Sequence, residues 1–171
     1  MLTVNLALCT GCRRCETACS FFHSGRVSNR MSRIRVLNIY EVGVDAPMVC
    51  GQCRERYCID SCPEGALSIG ADGQVMLSPT KCRLCGVCEM SCPIGAIEIH
   101  NDIVYVCDLC GGDPKCIPAC TEDAITWTRG VDAPVSLARV KDDAKGLNPS
   151  ERRFEHAMRQ ATDLRKEWLG A

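Results

Sequence analysis

Sixteen cysteines dominate the chemistry available to this 171-residue chain, and they fall into four runs with none left over. Cys9, Cys12, Cys15 and Cys19 are spaced C-x2-C-x2-C-x3-C, and Cys82, Cys85, Cys88 and Cys92 repeat that spacing. Cys50, Cys53, Cys58 and Cys62 follow C-x2-C-x4-C-x3-C, while Cys107, Cys110, Cys116 and Cys120 follow C-x2-C-x5-C-x3-C. Runs of this kind hold cubane iron–sulfur clusters, so the spacing predicts four 4Fe-4S clusters with all sixteen cysteines as ligands. Three thiolates at these intervals wrap one loop around a cluster, each sulfur on a different iron. The fourth cysteine lies one helical turn further on, roughly 6 Å along an axis, and so reaches toward a neighbouring cluster. Two runs that exchange their last cysteines make a conducting pair, and two pairs make a wire.

Other uses of cysteine fit less well. A disulfide scaffold suits a short secreted chain, but the N-terminus reaches Cys9 without a basic n-region or a complete h-region, so no signal peptide is expected. Zinc ribbons need two well-separated pairs, and a third cysteine at the same interval has no role in a tetrahedral site. Redox-active dithiols do not come as triplets. There is no G-x-G-x-x-G, P-loop, zincin motif or nucleophile elbow, so no catalytic residue is expected and any substrate must react on a partner. His23 is the one histidine beside a ligand run. It could donate a hydrogen bond to a cluster sulfur, although a partly buried structural role is the plainer reading; His100 and His156 read as surface residues.

Composition bounds the elements that must position these thiols. Aromatic residues make up 5% of the chain, and much of its 46% hydrophobic fraction is cysteine. With so thin an apolar core, cluster ligation is expected to supply much of the folding free energy, leaving the apoprotein largely unfolded. The formal charge of -1 becomes more negative once clusters are counted, and nucleic-acid binding is not suggested. No apolar stretch approaches the roughly 20 residues that span a bilayer, so no membrane span is expected. Unprotected clusters suit a reducing, oxygen-poor (anaerobic) cytoplasm.

The segments between runs repeat. Pro63-Glu64-Gly65-Ala66-Leu67-Ser68-Ile69 after Cys62 is matched by Pro93-Ile94-Gly95-Ala96-Ile97-Glu98-Ile99 after Cys92, and Asp72-Gly73 between short β-rich segments signals a hairpin. From Cys50 to about Ile99 the chain resembles a complete bacterial two-cluster ferredoxin. That resemblance implies one cluster held by Cys50, Cys53, Cys58 and Cys92, and another held by Cys82, Cys85, Cys88 and Cys62. The first and fourth runs are then left to each other. Nested pairing joins Cys9, Cys12 and Cys15 with Cys120, and Cys107, Cys110 and Cys116 with Cys19. Sequential pairing of runs one with two and three with four is the alternative, and it would break up the ferredoxin match.

Four runs in this order resemble, over about residues 1 to 128, the iron–sulfur subunits of the molybdopterin-oxidoreductase type. With Cys19-Ser20-Phe21-Phe22-His23-Ser24-Gly25 and Ser32-Arg33-Ile34-Arg35-Val36, the chain is similar to the compact branch found beside tungsten-dependent aldehyde oxidoreductases and carbon monoxide dehydrogenases. The expected fold is α+β: two nested bacterial-ferredoxin-like units of βαβ hairpin type and a C-terminal amphipathic helix. An inner unit at 49–100 is inserted in an outer unit of 1–48 and 101–129, followed by a connector at 130–147 and a docking helix at 148–171. The resemblance implies an electron-transfer subunit, not catalytic alone, that relays single electrons through four 4Fe-4S clusters. Its partners would be a tungsten or molybdenum pterin catalytic subunit acting on aldehydes, a flavin- or NAD-linked subunit or other acceptor, and further copies of the chain end to end. A free polyferredoxin, or a subunit of a hydrogenase, carbon monoxide dehydrogenase or other molybdopterin oxidoreductase, is the alternative.

Charge and the tail complete the reading. Cations near a cluster favour its reduced form and anions oppose it. Arg13, Arg14, Arg54, Arg56, Lys81 and Arg83 accompany the first three runs, whereas Asp108, Asp113, Glu122 and Asp123 surround the fourth, offset only by Lys115. The fourth-run cluster is therefore expected to have the lowest potential, unless solvent screens these groups. Arg33 to Val42 looks strand-like, and Arg26, Arg30, Arg33 and Arg35 make it basic; a solvated strand face is the plainer reading, and a docking face for an acidic partner is the alternative. Further on, Asn148-Pro149-Ser150-Glu151 reads as a helix start. Phe154, Ala157, Met158, Ala161, Leu164, Trp168 and Leu169 follow at helical spacing up to Gly170. Subunit docking is the expected use of that stripe, with cover for its own domain as the alternative.

Overall fold

Each segment between two cysteine runs has room for one short antiparallel ribbon, and each forms one. The structure, a computed structural model, describes residues 1–129 and 135–170; residues 130–134 of the expected connector, Pro134 among them, and Ala171 lie outside the described residues. In chain order the elements are β1 (Leu2–Val4), α1 (Arg14–Ser24), β2 (Ile34–Ile39), β3 (Val44–Val49), α2 (Tyr57–Asp60), β4 (Leu67–Ile69), β5 (Val75–Leu77), α3 (Val87–Ser91), β6 (Glu98–His100), β7 (Ile103–Tyr105), β8 (Ile125–Trp127), α4 (Ala138–Asp143) and α5 (Pro149–Leu169). This mixed helix and strand content accords with a ferredoxin-like fold.

Three hairpins join successive runs: β2 with β3, β4 with β5, and β6 with β7. The expected turn at Asp72-Gly73 lies between β4 and β5, with Gly73 at φ 75° and Ile69 opposite Val75. The β6–β7 turn is made by Asn101 and Asp102, both at positive φ, as a two-residue hairpin turn demands. The fourth ribbon is non-local: β1 pairs antiparallel with β8, Leu2 opposite Trp127 and Val4 opposite Ile125. The Met1 ammonium also donates to the Thr128 carbonyl at 2.5 Å. The beginning of the chain and the segment after the fourth run are thus bound into one ribbon.

Two-stranded ribbons are marginal alone, and here their inner faces close on the cysteines. Ile34, Val75, Ile97, Leu109 and Ile125 are buried in one cluster with Cys15, Cys19, Cys50, Cys58, Cys88, Cys92, Cys107 and Cys116. A second cluster lies outside β2 and β3, where Ile39, Val44, Ala46 and Met48 meet Ala157 and Ala161 of α5.

Helix α5 begins as its sequence predicts. Asn148 Oδ1 accepts from the Glu151 amide at 2.9 Å and Glu151 Oε2 from the Asn148 amide at 2.8 Å, a reciprocal cap followed by proline at the first position. Its stripe, however, is not left free for a partner. Ala157 and Ala161, small residues one turn apart, let the helix approach the outer apolar row of β2–β3, and Met158 and Leu164 pack at the margin. Only the ends of the stripe stay open, at Phe154, Trp168 and Leu169. The connector also differs from expectation, since it contains α4. Arg54 donates its amide to the Val135 carbonyl at 3.0 Å, and Leu137 its amide to Glu55 at 3.0 Å, which tie this segment to the second run. Among the described residues, no helix is long and apolar enough to cross a membrane.

Candidate metal centres

Every run bends in the same way. The second residue between the first two cysteines has a left-handed backbone in all four: Gly11 (φ 67°), Gln52 (φ 48°), Leu84 (φ 55°) and Leu109 (φ 55°). A second left-handed residue precedes the third cysteine by two positions at Arg13, Arg56 and Gly86. Such conformations are costly outside glycine. They turn the amides of Gly11, Gln52, Leu84 and Leu109 toward the sulfurs of Cys9, Cys50, Cys82 and Cys107, an arrangement that suits anionic sulfur.

Thiols from different runs meet inside these loops. Cys9, Cys12, Cys15 and Cys120 line one small cavity, and Cys50, Cys53, Cys58 and Cys92 line another. Cys19 lies close enough to Cys107, Cys110 and Cys116 to raise the pKa of each. Cys62 and Cys82 act on Cys88 in the same way, with Cys85 on the same loop. The four groups also lie near one another in series. Cys15 acts on Cys116, Cys107 on Cys50, and Cys88 on Cys58. At the two ends of this series stand Cys12 and Cys85, the two cysteines of the sixteen that are exposed.

The donor chemistry fits iron–sulfur clusters. All sixteen cysteines are free thiols. Burial first, and neighbouring sulfurs next for two of the three, push Cys15, Cys58 and Cys116 up to about 12. Burial likewise raises Cys88 to about 11 and lifts Cys50 and Cys107. Left bare, such thiols stay protonated at neutral pH, whereas a bound metal centre deprotonates them. Sulfur also receives backbone hydrogen bonds, as an anionic ligand should. Ala66 and Ala96 donate to Cys62 and Cys92 at 3.3 and 3.2 Å, each just past a left-handed glycine, Gly65 and Gly95. At Cys62 burial raises the pKa, but amides from Ala66, Glu64, Leu67 and Gly65 outweigh it and the net shift is downward. After Cys120 the left-handed position is taken by Asp123. Cys19 sits within α1 and is served instead from far away, by the Arg33 amide at 3.2 Å.

The fourth run is less acidic than its sequence. Arg33 Nη1 lies 2.7 Å from Asp108 Oδ2, and Asp113 is paired with Lys115. His23 Nε2 lies 3.6 Å from Asp108 Oδ1 and 3.6 Å from Cys110 Sγ. Burial, and then the Arg33 guanidinium, hold His23 below the usual histidine range, although Asp108 opposes them. A neutral His23 with its proton on Nε2 would donate toward Cys110 Sγ, a bond that would favour the reduced form of a centre held there. Of the four acids around this run, Asp108 is thus offset by Arg33 from seventy-five positions away and Asp113 by the nearby Lys115.

Other site residues carried little sequence signal. Gln52 is buried; its Nε2 donates to the Cys107 carbonyl at 2.8 Å and its Oε1 accepts from the Val75 amide at 2.9 Å, which joins the second run, the fourth run and β5. Glu16, 1% exposed, accepts from the Val36 amide at 2.8 Å and from Arg13 at 3.1 Å. His100 and His156, read from sequence as surface residues, are half-buried. His100 stacks on Tyr105 with ring centroids 4.0 Å apart, and burial holds His156 down at about 4.

Comparison with known proteins agrees with this chemistry. Residues 49–96 match the 4Fe-4S dicluster domain. The chain is 39% identical over 140 residues to the polyferredoxin-like subunit of an aliphatic sulfonate oxidoreductase from Pyrococcus furiosus, covering 78% of this chain and 80% of that one. It is 34% identical over 125 residues to the beta subunit of NADH-dependent phenylglyoxylate dehydrogenase from Aromatoleum evansii, covering 70% of this chain and 28% of that subunit. It is 31% identical over 159 residues to the Escherichia coli putative oxidoreductase UacF, covering 88% of this chain and 25% of that protein. The chain therefore spans most of the first relative and only about a quarter of the other two. Its cysteine loops, its dicluster match and its likeness to the first relative over most of both chains agree: the chain belongs to the polyferredoxin-like iron–sulfur electron-transfer subunits of oxidoreductase complexes.

Proposed function

We propose that the sixteen cysteines hold four 4Fe-4S clusters in nested sets, and that the chain relays single electrons between a catalytic subunit and an acceptor subunit. The sets are Cys9, Cys12, Cys15 with Cys120; Cys107, Cys110, Cys116 with Cys19; Cys50, Cys53, Cys58 with Cys92; and Cys82, Cys85, Cys88 with Cys62. When bound, each cluster supplies a one-electron couple. The protein's residues supply thiolates, amide donors and exclusion of water. The observation that carries this reading is the gathering of thiols from different runs into shared cavities and their serial proximity from the Cys9 loop to the Cys82 loop. It supports a wire in the order first, fourth, second and third run, with exposed Cys12 and Cys85 at its mouths. The β1–β8 ribbon supports an outer unit of 1–48 and 101–129 around an inner unit of 49–100, with the connector at 130–147. The terminal segment 148–171 then serves mainly to brace β2–β3, with docking confined to its exposed end at Trp168 and Leu169.

The catalytic partner in this reading is a tungsten or molybdenum pterin subunit, and the acceptor a flavin- or NAD-linked subunit in the reducing cytoplasm. Aldehydes are the substrate class suggested by the resemblance of the first run. An aliphatic sulfonate is the second reading, favoured by the relationship to the Pyrococcus furiosus subunit. The chain itself is not catalytic. Anaerobic purification of the tagged chain with its partners, followed by iron, sulfide, tungsten, molybdenum and flavin analysis, tests both levels. About sixteen iron and sixteen sulfide per chain are expected. Zinc in place of iron would exclude the clusters, and a chain recovered without any partner would exclude the fixed subunit.

A further inference from the structure

From Thr17 to Tyr40 the chain carries four arginines and neither aspartate nor glutamate. Two of them serve the interior: Arg33 pairs with Asp108 at 2.7 Å and Arg35 with Glu98 at 2.5 Å. Arg26 and Arg30 are exposed, and among the described residues no ion pair engages either. Beside them lie three large apolar side chains in solvent: Phe21 is 61% exposed, Phe22 48% and Val27 66%. Local geometry holds these residues at one corner. The Gly25 amide donates to the Phe21 carbonyl at 2.8 Å and ends α1 in a left-handed glycine. The Ser28 amide then donates to Ser20 Oγ at 3.2 Å, folding Arg26 and Val27 back along the helix.

Beneath this corner lies a candidate ligand. The Phe22 ring meets His23 edge-on with centroids 4.9 Å apart, and His23 Nε2 is 3.6 Å from Cys110 Sγ. Phe22 and His23 thus lead from solvent to a proposed cluster thiolate that is itself only half-buried. The apolar stripe of α5 does not serve this corner, because it covers β2 and β3. Two adjacent phenylalanines and a valine, flanked by uncompensated arginines, have the make-up of an interface centre with a charged rim.

We propose that Phe21, Phe22 and Val27, with Arg26 and Arg30, form the docking face for an acidic surface of the protein subunit with which this chain exchanges electrons. This rests on the reading of the chain as a subunit of an oxidoreductase complex. The partner presents an apolar recess to the two rings and carboxylates to the two guanidinium groups. Its contact closes water off above His23 and Cys110, and it adds a point of exchange beside the fourth-run site, between the two mouths of the wire at Cys12 and Cys85.

The test uses the native complex, purified anaerobically through a tag on the full-length chain. Hydrogen exchange of residues 19–31 is compared in the complex and in the isolated holoprotein; protection in the complex is expected. Phe21→Ser with Phe22→Ser, and separately Arg26→Glu with Arg30→Glu, should each lower the retained partner by about tenfold or more. Visible absorption and iron content should stay at wild-type values. Arg26→Lys with Arg30→Lys should restore most of the binding, since the charge is kept. Equal exchange in both states, or full partner retention by both double variants, overturns the face while leaving the subunit reading intact. A wild-type chain that purifies alone overturns both. Flotation with vesicles of phosphatidylcholine and phosphatidylserine supplies the remaining arm. Vesicle binding that is lost in the Phe21→Ser, Phe22→Ser variant would assign the corner to a lipid surface and overturn the protein partner.

Discussion

Gly95 and Pro149 approach so closely that a β-carbon on Gly95 would lie 1.9 Å from the Pro149 carbonyl oxygen. Gly95 follows Cys92 by three residues, and Pro149 opens α5. Arg153, in the next turn of α5, donates to the Gly95 carbonyl from Nε at 2.9 Å and from Nη2 at 2.6 Å, and its Nη1 lies 2.5 Å from Glu98. The C-terminal helix is thereby clamped to the segment that carries a proposed ligand of the second-run centre.

Gly95→Ala should therefore destabilise more than its counterpart in the repeat. Gly65 has the same φ of 55° but nothing within 4 Å of an added β-carbon. Gly65→Ala should lose about 1 kcal/mol through backbone strain alone, and Gly95→Ala about 3 kcal/mol, as Pro149 is pushed away. Anaerobic denaturant unfolding of the two holoproteins compares them directly. Equal losses would remove the close approach as the cause.

The Glu98 carboxylate holds Arg35 of β2 and Arg153 of α5 together. Burial raises its pKa, but both arginines outweigh burial and hold it below the usual carboxylate range. Glu98→Ala leaves two half-buried guanidinium groups facing each other and should cost about 3 kcal/mol. Arg153→Met in the same background should recover part of that loss. A double-mutant cycle measured by unfolding gives the coupling.

His156 sits half-buried in α5, its pKa lowered to about 4 by burial and then by Arg159. The unfolded chain binds a proton near pH 6.5, the folded chain only near 4. Stability from this group is thus fully present above pH 6.5 and falls progressively as pH drops toward 4, where the loss levels off. Between pH 7.5 and 5.5 the wild type should lose about 1 kcal/mol more than His156→Leu. A matched pH slope in the two proteins would contradict a half-buried neutral ring. Acid lability of clusters is common to both and cancels in the comparison.

Replacement of single cysteines separates nested from sequential pairing. Cys120→Ser should disturb the centre that shares Cys9, Cys12 and Cys15, and Cys19→Ser the centre that shares Cys107, Cys110 and Cys116. Each variant should lose about a quarter of the iron, or convert one centre to a three-iron form with a distinct electron paramagnetic resonance signal. Combining Cys120→Ser with Cys12→Ser should cost no second centre under nesting. Loss of two centres in that double variant would exclude it.

His23→Ala removes a donor toward Cys110 Sγ and one partner of Asp108. The potential of one centre should fall while the other three hold, in an anaerobic redox titration followed by the same resonance signals. His23→Gln, which keeps a donor, should fall less. An unchanged potential would leave His23 a packing residue beneath Phe22.

Local chemistry in this chain is legible because it is encoded at short range. Spacing between cysteines is a property of a few consecutive residues, so the ligand loops and their metal preference follow from sequence alone. The same holds for Asp72-Gly73 between β4 and β5, and for Asn148 to Glu151 at the start of α5, where the capping partners are three residues apart. The repeated Cys-Pro-x-Gly-Ala unit likewise reports its left-handed glycine directly.

Tertiary structure decided what those local pieces meet. The Arg33 amide reaches Cys19 across fourteen positions, and the Arg33 guanidinium pairs with Asp108, one of the four acids that sequence alone reads as lowering the potential. His23 finds Cys110 across eighty-seven positions. The amphipathic pattern of α5 was plain, but an apolar stripe is equally suited to a neighbouring subunit and to an uncovered ribbon in its own chain. Only the packing of Ala157 and Ala161 against Ile39 and Ala46 chooses between them. The physical reason is common to all three. Hydrogen bonds within a turn have fixed partners, whereas burial and charge pairing are non-directional in sequence and are settled by whichever surfaces the fold brings within a few ångströms.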